Sequence, residues 1–185
     1  MEMVRAFLAL DLPDEVKERI MKVEEDVLKS GADVKLVDYE NLHVTLKFLG
    51  DVDSAKMEEV NKVMDGIKEK MFQLEAKGTG VFPNSRSVRV LWVGVGKGGE
   101  NVRAIYEKLD EGLATVGFKR ELEFTPHITI GRVRSGRNKQ LLLEAMERNA
   151  SKSFGIAKIE KVVLKKSVLM TTGPLYSNLR EIELE

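Results

Sequence analysis

Apolar positions recur along this chain at two periods, and the changes from one period to the other mark out its elements. Val4 to Leu10 is a short apolar run, read as a buried strand. Pro13 stands as a first helical residue, with Asp14 and Glu15 facing the positive end of the helix dipole. Val16, Ile20, Val23 and Val27 follow at helical spacing, which predicts a helix over Asp14–Lys29 closed by Ser30-Gly31. Val34–Val37 reads as a strand, Asp38–Asn41 as a turn and Leu42–Leu49 as a second strand ended by Gly50-Asp51. Asp53 or Ser54 caps a helix whose stripe is Met57, Val60, Met64, Ile67 and Met71. Its three methionines read most simply as core filling.

The alternation continues with a strand over Phe72–Val81, a turn at Phe82–Ser85 and a strand over Arg86–Val95, which puts Val88, Val90 and Trp92 on one face. Gly98-Gly99 opens a helix through Val102, Ile105, Leu109, Leu113 and Val116, capped by Gly117. Phe118–Glu123 reads as extended and Thr125–Arg132 as a strand. Arg132–Asn138 forms a basic loop before a helix over Lys139–Asn149. Phe154–Leu169 holds at least one long strand, and Thr172-Gly173-Pro174 turns the chain into a last strand, Leu175–Leu184.

Two stretches echo each other. Asn41-Leu42-His43-Val44-Thr45-Leu46 and Thr125-Pro126-His127-Ile128-Thr129-Ile130 contain the only two histidines, 84 residues apart, each followed two positions on by threonine. A shift by 84 also lays Val4–Leu10 on Val88–Gly94, Asp14–Lys29 on Gly98–Leu113, and Val34–Val37 on Phe118–Glu121. Each half then reads β-α-β-β-α-β with its His-x-Thr strand third among the strands. The expected fold is α+β: residues 1–185 as a single bilobal domain, pseudo-two-fold and duplicated. Two mainly antiparallel sheets would flank a central cleft, with helices outside.

Composition narrows the chemistry. With 43% apolar and 32% charged residues the chain is an ordinary globular protein, long enough at 185 residues to bury a real core. Net charge is zero, so an anionic partner must be held by local basic groups. The absence of cysteine removes disulfides, thiol catalysis and Cys-ligated zinc together. The first residues lack a signal-peptide pattern, and no run approaches the roughly 20 apolar residues of a membrane span, so a cytoplasmic protein without membrane contact is expected.

In a strand, residues i and i+2 share a face, so each histidine carries a hydroxyl beside it. Two imidazoles across a cleft suit phosphodiester hydrolysis: neutral, one takes a proton from water; protonated, the other gives one to the departing oxygen. Thr45 and Thr129 can donate to nonbridging phosphate oxygens. Arg132 offers a forked cationic donor, yet it lies five residues after His127, an odd step that points it away unless Gly131 bends the strand; otherwise it is a solvated loop arginine. Phe48 stands at the same offset after His43. The pattern Val44, Leu46, Phe48 makes it core, while the cleft edge would make it a base-stacking ring. Two histidines fall short of a metal set. The stretch Gly94-Val95-Gly96-Lys97-Gly98-Gly99 fits a dinucleotide-binding fingerprint, but too little chain follows for the usual parallel strands, and a flexible turn is preferred.

With both motifs in place the chain resembles the two-histidine (2H) phosphoesterase superfamily, and more narrowly the RNA 2′,3′-cyclic phosphodiesterases also called 2′-5′ RNA ligases. The matching features are Arg5-Ala6-Phe7-Leu8-Ala9, the stretch Asn41 to Gly50, Gly80-Val81-Phe82-Pro83, His127 to Arg132, Leu164-Lys165-Lys166-Ser167 and Gly173-Pro174-Leu175-Tyr176. The resemblance implies metal-independent opening of an RNA 2′,3′-cyclic phosphate to a 2′-phosphomonoester, without cofactor, by a monomer. His43 would serve as proton donor to the leaving 3′ oxygen and His127 as base. The implied partner is an RNA end bearing the cyclic phosphate, tRNA fragments included, and the ligase label denotes attack by an RNA 5′ hydroxyl in place of water. The alternative is a non-catalytic module that binds RNA ends or nucleotides through Arg132, Arg134, Arg137 and Lys139.

Overall fold

The computed structural model describes residues 2–185. In chain order its elements are β1 (Val4–Asp11), α1 (Asp14–Lys29), β2 (Val34–Leu36), a 3-10 turn (Tyr39–Asn41), β3 (His43–Val52), α2 (Ser54–Asp65), β4 (Phe72–Pro83), β5 (Val88–Val95), α3 (Gly99–Thr115), β6 (His127–Val133), α4 (Lys139–Glu147), β7 (Ser153–Ile159), β8 (Lys161–Met170) and β9 (Gly173–Glu183). The strands pair antiparallel in the order β7-β4-β5-β6-β3-β1-β8-β9, with β2 added on β6. The order is palindromic about the β6–β3 seam, where the two histidine strands meet through the single pair Val44↔Ile128. The two expected sheets are therefore the two halves of one curled sheet.

The helices cross over. α1 follows β1 in sequence but packs on β7 and α4 of the other half, and α3 follows β5 but packs on β3 and α2. The apolar stripe of α1, Val16, Ile20, Val23 and Val27, is thereby buried toward β7 of the opposite half. Among the described residues no helix is long and apolar enough to cross a membrane.

Several local expectations need correction. Pro13 is not the first helical residue but the extended N-cap of α1 (φ −69°, ψ 155°). Asp53 caps α2 by accepting from the Lys56 amide at 2.8 Å, but α2 stops at Asp65 before Gly66, so Ile67 and Met71 lie beyond the helix. The Met71 amide instead donates to the Glu185 carbonyl as β4 begins. Gly50 does not end β3; at φ +71° it sits beside an irregularity that lets the strand run on to Val52. Phe154–Leu169, expected to hold at least one long strand, holds most of two, β7 and β8. Phe118–Glu121 forms no strand, so the second repeat lacks a counterpart to β2.

The glycine-rich stretch has a packing role. The Glu75 amide donates to the Lys97 carbonyl and the Gly96 amide to the Glu75 carbonyl, so the turn lies flat along β4. A Cβ at Gly98 would come within 2.3 Å of the Gln73 carbonyl oxygen, which leaves no room there for a phosphate.

Candidate active site

Both histidine strands carry the same irregularity, and it decides which side chains share the cleft. On β3, Thr45 pairs with Ala9 and Lys47 with Leu8, leaving Leu46 as an extra residue. On β6, Thr129 pairs with Trp92 and Gly131 with Leu91, leaving Ile130 extra. Each is a β-bulge, which reverses the side-chain alternation beyond it. The two strands accordingly show the same burial sequence: His half-buried, Val44 or Ile128 buried, Thr half-buried, then two consecutive buried residues, then an exposed one. That exposed residue is Phe48 on β3 and Arg132 on β6. The odd five-residue step therefore brings Arg132 onto the face of His127 and Thr129, and Phe48 onto the face of His43 and Thr45. The reading of Phe48 as core is overturned: it is 62% exposed.

The two bulges are filled differently from behind. Beside Gly131 the Val34 and Leu36 side chains of the paired strand β2 fill the space behind the bulge, and a Cβ would meet Val34 Cγ1 at 2.8 Å. At the equivalent Lys47 no such strand exists, and the lysine fills the space itself. Its Nζ donates to Asp110 Oδ1 at 2.5 Å and to the Lys119 carbonyl at 2.7 Å. Asp110 also accepts from Arg120 Nε at 3.0 Å, so the segment after α3 is tied to the back of β3 by this cluster rather than by a ladder.

His43 Nδ1 donates to the Asn41 carbonyl at 2.6 Å, and His127 Nδ1 to the Thr125 carbonyl at 2.6 Å. A carbonyl can only accept, so Nδ1 carries the proton in both neutral rings and Nε2 is left as the reactive nitrogen. His43 Nε2 lies 2.8 Å from Thr45 Oγ1. Aromatic rings fix both imidazoles: Phe7 (5.1 Å between centroids) and Tyr176 (5.6 Å, edge-on) flank His43, and Phe82 stands edge-on to His127 at 5.0 Å. Burial pushes the His43 imidazole down from 6.5 to about 4, opposed by the Asn41 carbonyl and assisted by Lys165. Burial also lowers His127, with the Thr125 carbonyl opposing and the Arg132 charge adding to the effect.

These residues surround one cavity of about 620 Å³, lined by His43, His127, Thr45, Thr129, Arg132 and Phe48 together. Lys35, Phe82 and Tyr176 line it too. Chemistry read from the sequence does not single out these three; only the family-like stretches around Phe82 and Tyr176 point to the latter pair, and nothing in the periodicity marks Lys35. Among the described residues no three His, Asp or Glu side chains converge as a metal-ligand set. The basic loop is mostly spent on structure. Arg137 Nε donates to the Gly31 carbonyl at 3.1 Å and Lys139 Nζ to the Arg86 carbonyl at 2.6 Å, which leaves Arg132 as the loop cation that lines the cleft.

The chain is similar in sequence and fold to known proteins. A family model described as LigT like Phosphoesterase matches twice, over residues 10–92 and 93–176, once for each repeat. The chain is 39% identical to an RNA 2′,3′-cyclic phosphodiesterase of Methanocaldococcus jannaschii, covering 96% of this chain and 99% of that one. It is 35% identical to one of Aquifex aeolicus, covering 100% and 99%. Among solved structures, a protein of Thermus thermophilus superposes with a TM-score of 0.81 at 25% identity over 97% of each chain. Escherichia coli LigT complexed with 3′-AMP superposes at 0.77 with 26% identity over 99% of each chain.

Proposed function

The chain belongs to the LigT like phosphoesterase family, and on that premise we propose that it hydrolyses RNA 2′,3′-cyclic phosphate ends to 2′-phosphomonoesters by paired-histidine acid–base catalysis. The observation that carries the reading is the matched pair of bulged His-x-Thr strands facing one cavity. His127 Nε2 accepts a proton from water as the water oxygen bonds to phosphorus. The P–O3′ bond breaks, and protonated His43 gives its Nε2 proton to the departing 3′ oxygen, so both electrons of the broken bond end as a 3′ hydroxyl. Thr45 and Thr129 donate to the nonbridging oxygens, and Arg132 holds their charge. Phe48 offers a face to the terminal base. Residues 1–185 act as one catalytic domain, because the crossing helices bind each half of the sheet to the other repeat. An RNA 5′ hydroxyl in the place of water gives a 2′-5′ linkage by the same proton transfers.

The test is incubation of an RNA with a 2′,3′-cyclic phosphate end, in chelator, followed by mapping of the product. The expected product is a 2′-phosphomonoester; a 3′-phosphomonoester overturns the assigned bond cleavage, and no turnover in chelator overturns the metal-free mechanism. RNA binding that persists without turnover, and without dependence on either histidine, supports the non-catalytic alternative.

A pH prediction follows from the two lowered imidazoles. The competent free enzyme has one ring protonated and one neutral, a state populated most between the two titrations. Both lie below 6.5, so the kcat/KM profile is a bell whose alkaline limb begins below that value. Once bound, the substrate phosphate favours the imidazolium, so the kcat profile is displaced to higher pH. A kcat/KM maximum above 6.5 contradicts the buried-imidazole account.

A further inference from the structure

We propose that Lys35 holds a second phosphate, the internucleotide phosphodiester one ribose upstream of the reacting cyclic phosphate, and so makes the site prefer an RNA end over a lone nucleoside cyclic phosphate. The inference rests on the phosphodiesterase reading and adds a substrate determinant to it.

Lys35 on β2 is the direct cross-strand partner of Arg132 on β6. Directly paired residues of an antiparallel ladder point to the same face, with Cα atoms about 4.5–5.5 Å apart. Both line the cavity that holds the histidines. Two cations in that relation repel, and neither is relieved by an ion pair or hydrogen bond from another described side chain. An anion between or beside them removes the penalty. Arg132 lies on the face of His127 and Thr129 and lines the cavity with both histidines, next to the reacting centre.

Lys35 stands further out. β3 pairs with β6 at Ile128, beside His127, whereas β2 takes over the same edge of β6 at Gly131 to Val133. Its Nζ lies at the β8–β9 turn, 3.7 Å from where a Cβ of Gly173 would sit. The Asp38 carboxylate reaches the same turn, 3.6 Å from that point, without forming an ion pair with Lys35. The cleft thus has an inner cation for the reacting phosphate and an outer one displaced along the sheet edge. A nucleic-acid strand entering over the β8–β9 turn meets the outer cation with the next phosphate of its backbone.

The test uses three substrates: a nucleoside 2′,3′-cyclic phosphate, a dinucleotide ending in the same cyclic phosphate, and that dinucleotide with an uncharged methylphosphonate internal linkage. For the native protein the charged dinucleotide is expected to have the highest kcat/KM. Lys35→Gln should lower that value roughly tenfold or more, the scale of a charge-assisted hydrogen bond, and leave the nucleoside substrate within about twofold. The methylphosphonate should cost the native protein a similar factor and cost Lys35→Gln nothing further. Lys35→Arg should restore much of the preference. Equal losses on all three substrates, or no effect of the methylphosphonate on the native protein, overturn the proposal while the phosphodiesterase reading stands. If the native protein opens none of the three, that reading fails and this proposal fails with it. Lys35 is exposed, so an unchanged melting curve is expected for the variant and separates loss of binding from loss of fold.

Discussion

Replacing His127 by alanine is expected to lower kcat on an RNA 2′,3′-cyclic phosphate by about 10²–10⁴-fold, and His43→Ala by a similar factor. The two rings act in one proton-transfer cycle, so the double variant should fall little below the weaker single one. Each variant should also lose one side of the pH bell. His127→Ala removes the group that must be neutral and flattens the acid limb; His43→Ala removes the group that must be protonated and flattens the alkaline limb. This is the measurement that separates acid from base, because the two strands share one burial order and bulge position and both rings donate Nδ1 to a carbonyl two residues before them. Single-turnover rates across pH, with circular dichroism to confirm folding, supply it. A variant that keeps its activity within tenfold of the native protein removes that ring from the chemistry, and exchanged limbs exchange the roles.

The second large effect is on stability. Lys47 and Asp110 are 3% and 2% exposed, and each is the other's shortest charged contact. Lys47→Met should destabilise the protein by about 3–5 kcal/mol, because it leaves the buried Asp110 carboxylate with the largely exposed Arg120 as its one cation and the Glu121 amide as a weak donor. For a chain of this size that is a fall in Tm on the order of 10 °C. Adding Asp110→Leu to Lys47→Met should recover most of the loss, since the uncompensated charge is then gone. Lys161→Met, which breaks a surface pair with Glu181, should leave the melting curve unmoved. If Lys47→Met melts like the native protein, the cluster does not anchor the segment after α3.

The pattern of apolar positions was enough to place the helices and strands, because each is amphipathic at its own period. The duplicated order was legible for the same reason. The bulges were not. Leu46-Lys47 and Ile130-Gly131 each put two adjacent residues on the buried side, and strict alternation assigns one of each pair to the cleft. Strict alternation points Arg132 away from His127, so its place in the cleft hangs on a bend at Gly131, and it leaves Phe48 open between the core and the cleft edge. Lys47 could not be recognised as buried, since a lysine goes inside only with a partner, and Asp110 is 63 residues away. The same pair explains why Phe118–Glu121 is not a strand: the Lys119 carbonyl is bound by the Lys47 ammonium instead of by a neighbouring backbone.

The seam between the halves of the sheet has a mechanical consequence. Val44 and Ile128, its only paired residues, are the immediate neighbours of His43 and His127. Any rotation of one half against the other about that line moves a group in proportion to its distance from the line. The imidazoles, one residue away, would keep nearly constant separation, while the β8–β9 turn, beyond β1 in the sheet, would swing through a wider arc. A hinge at the Val44–Ile128 pair would leave the spacing of the two imidazoles nearly unchanged while the far β8–β9 turn moved, much as the blades of scissors travel far while the rivet stays put.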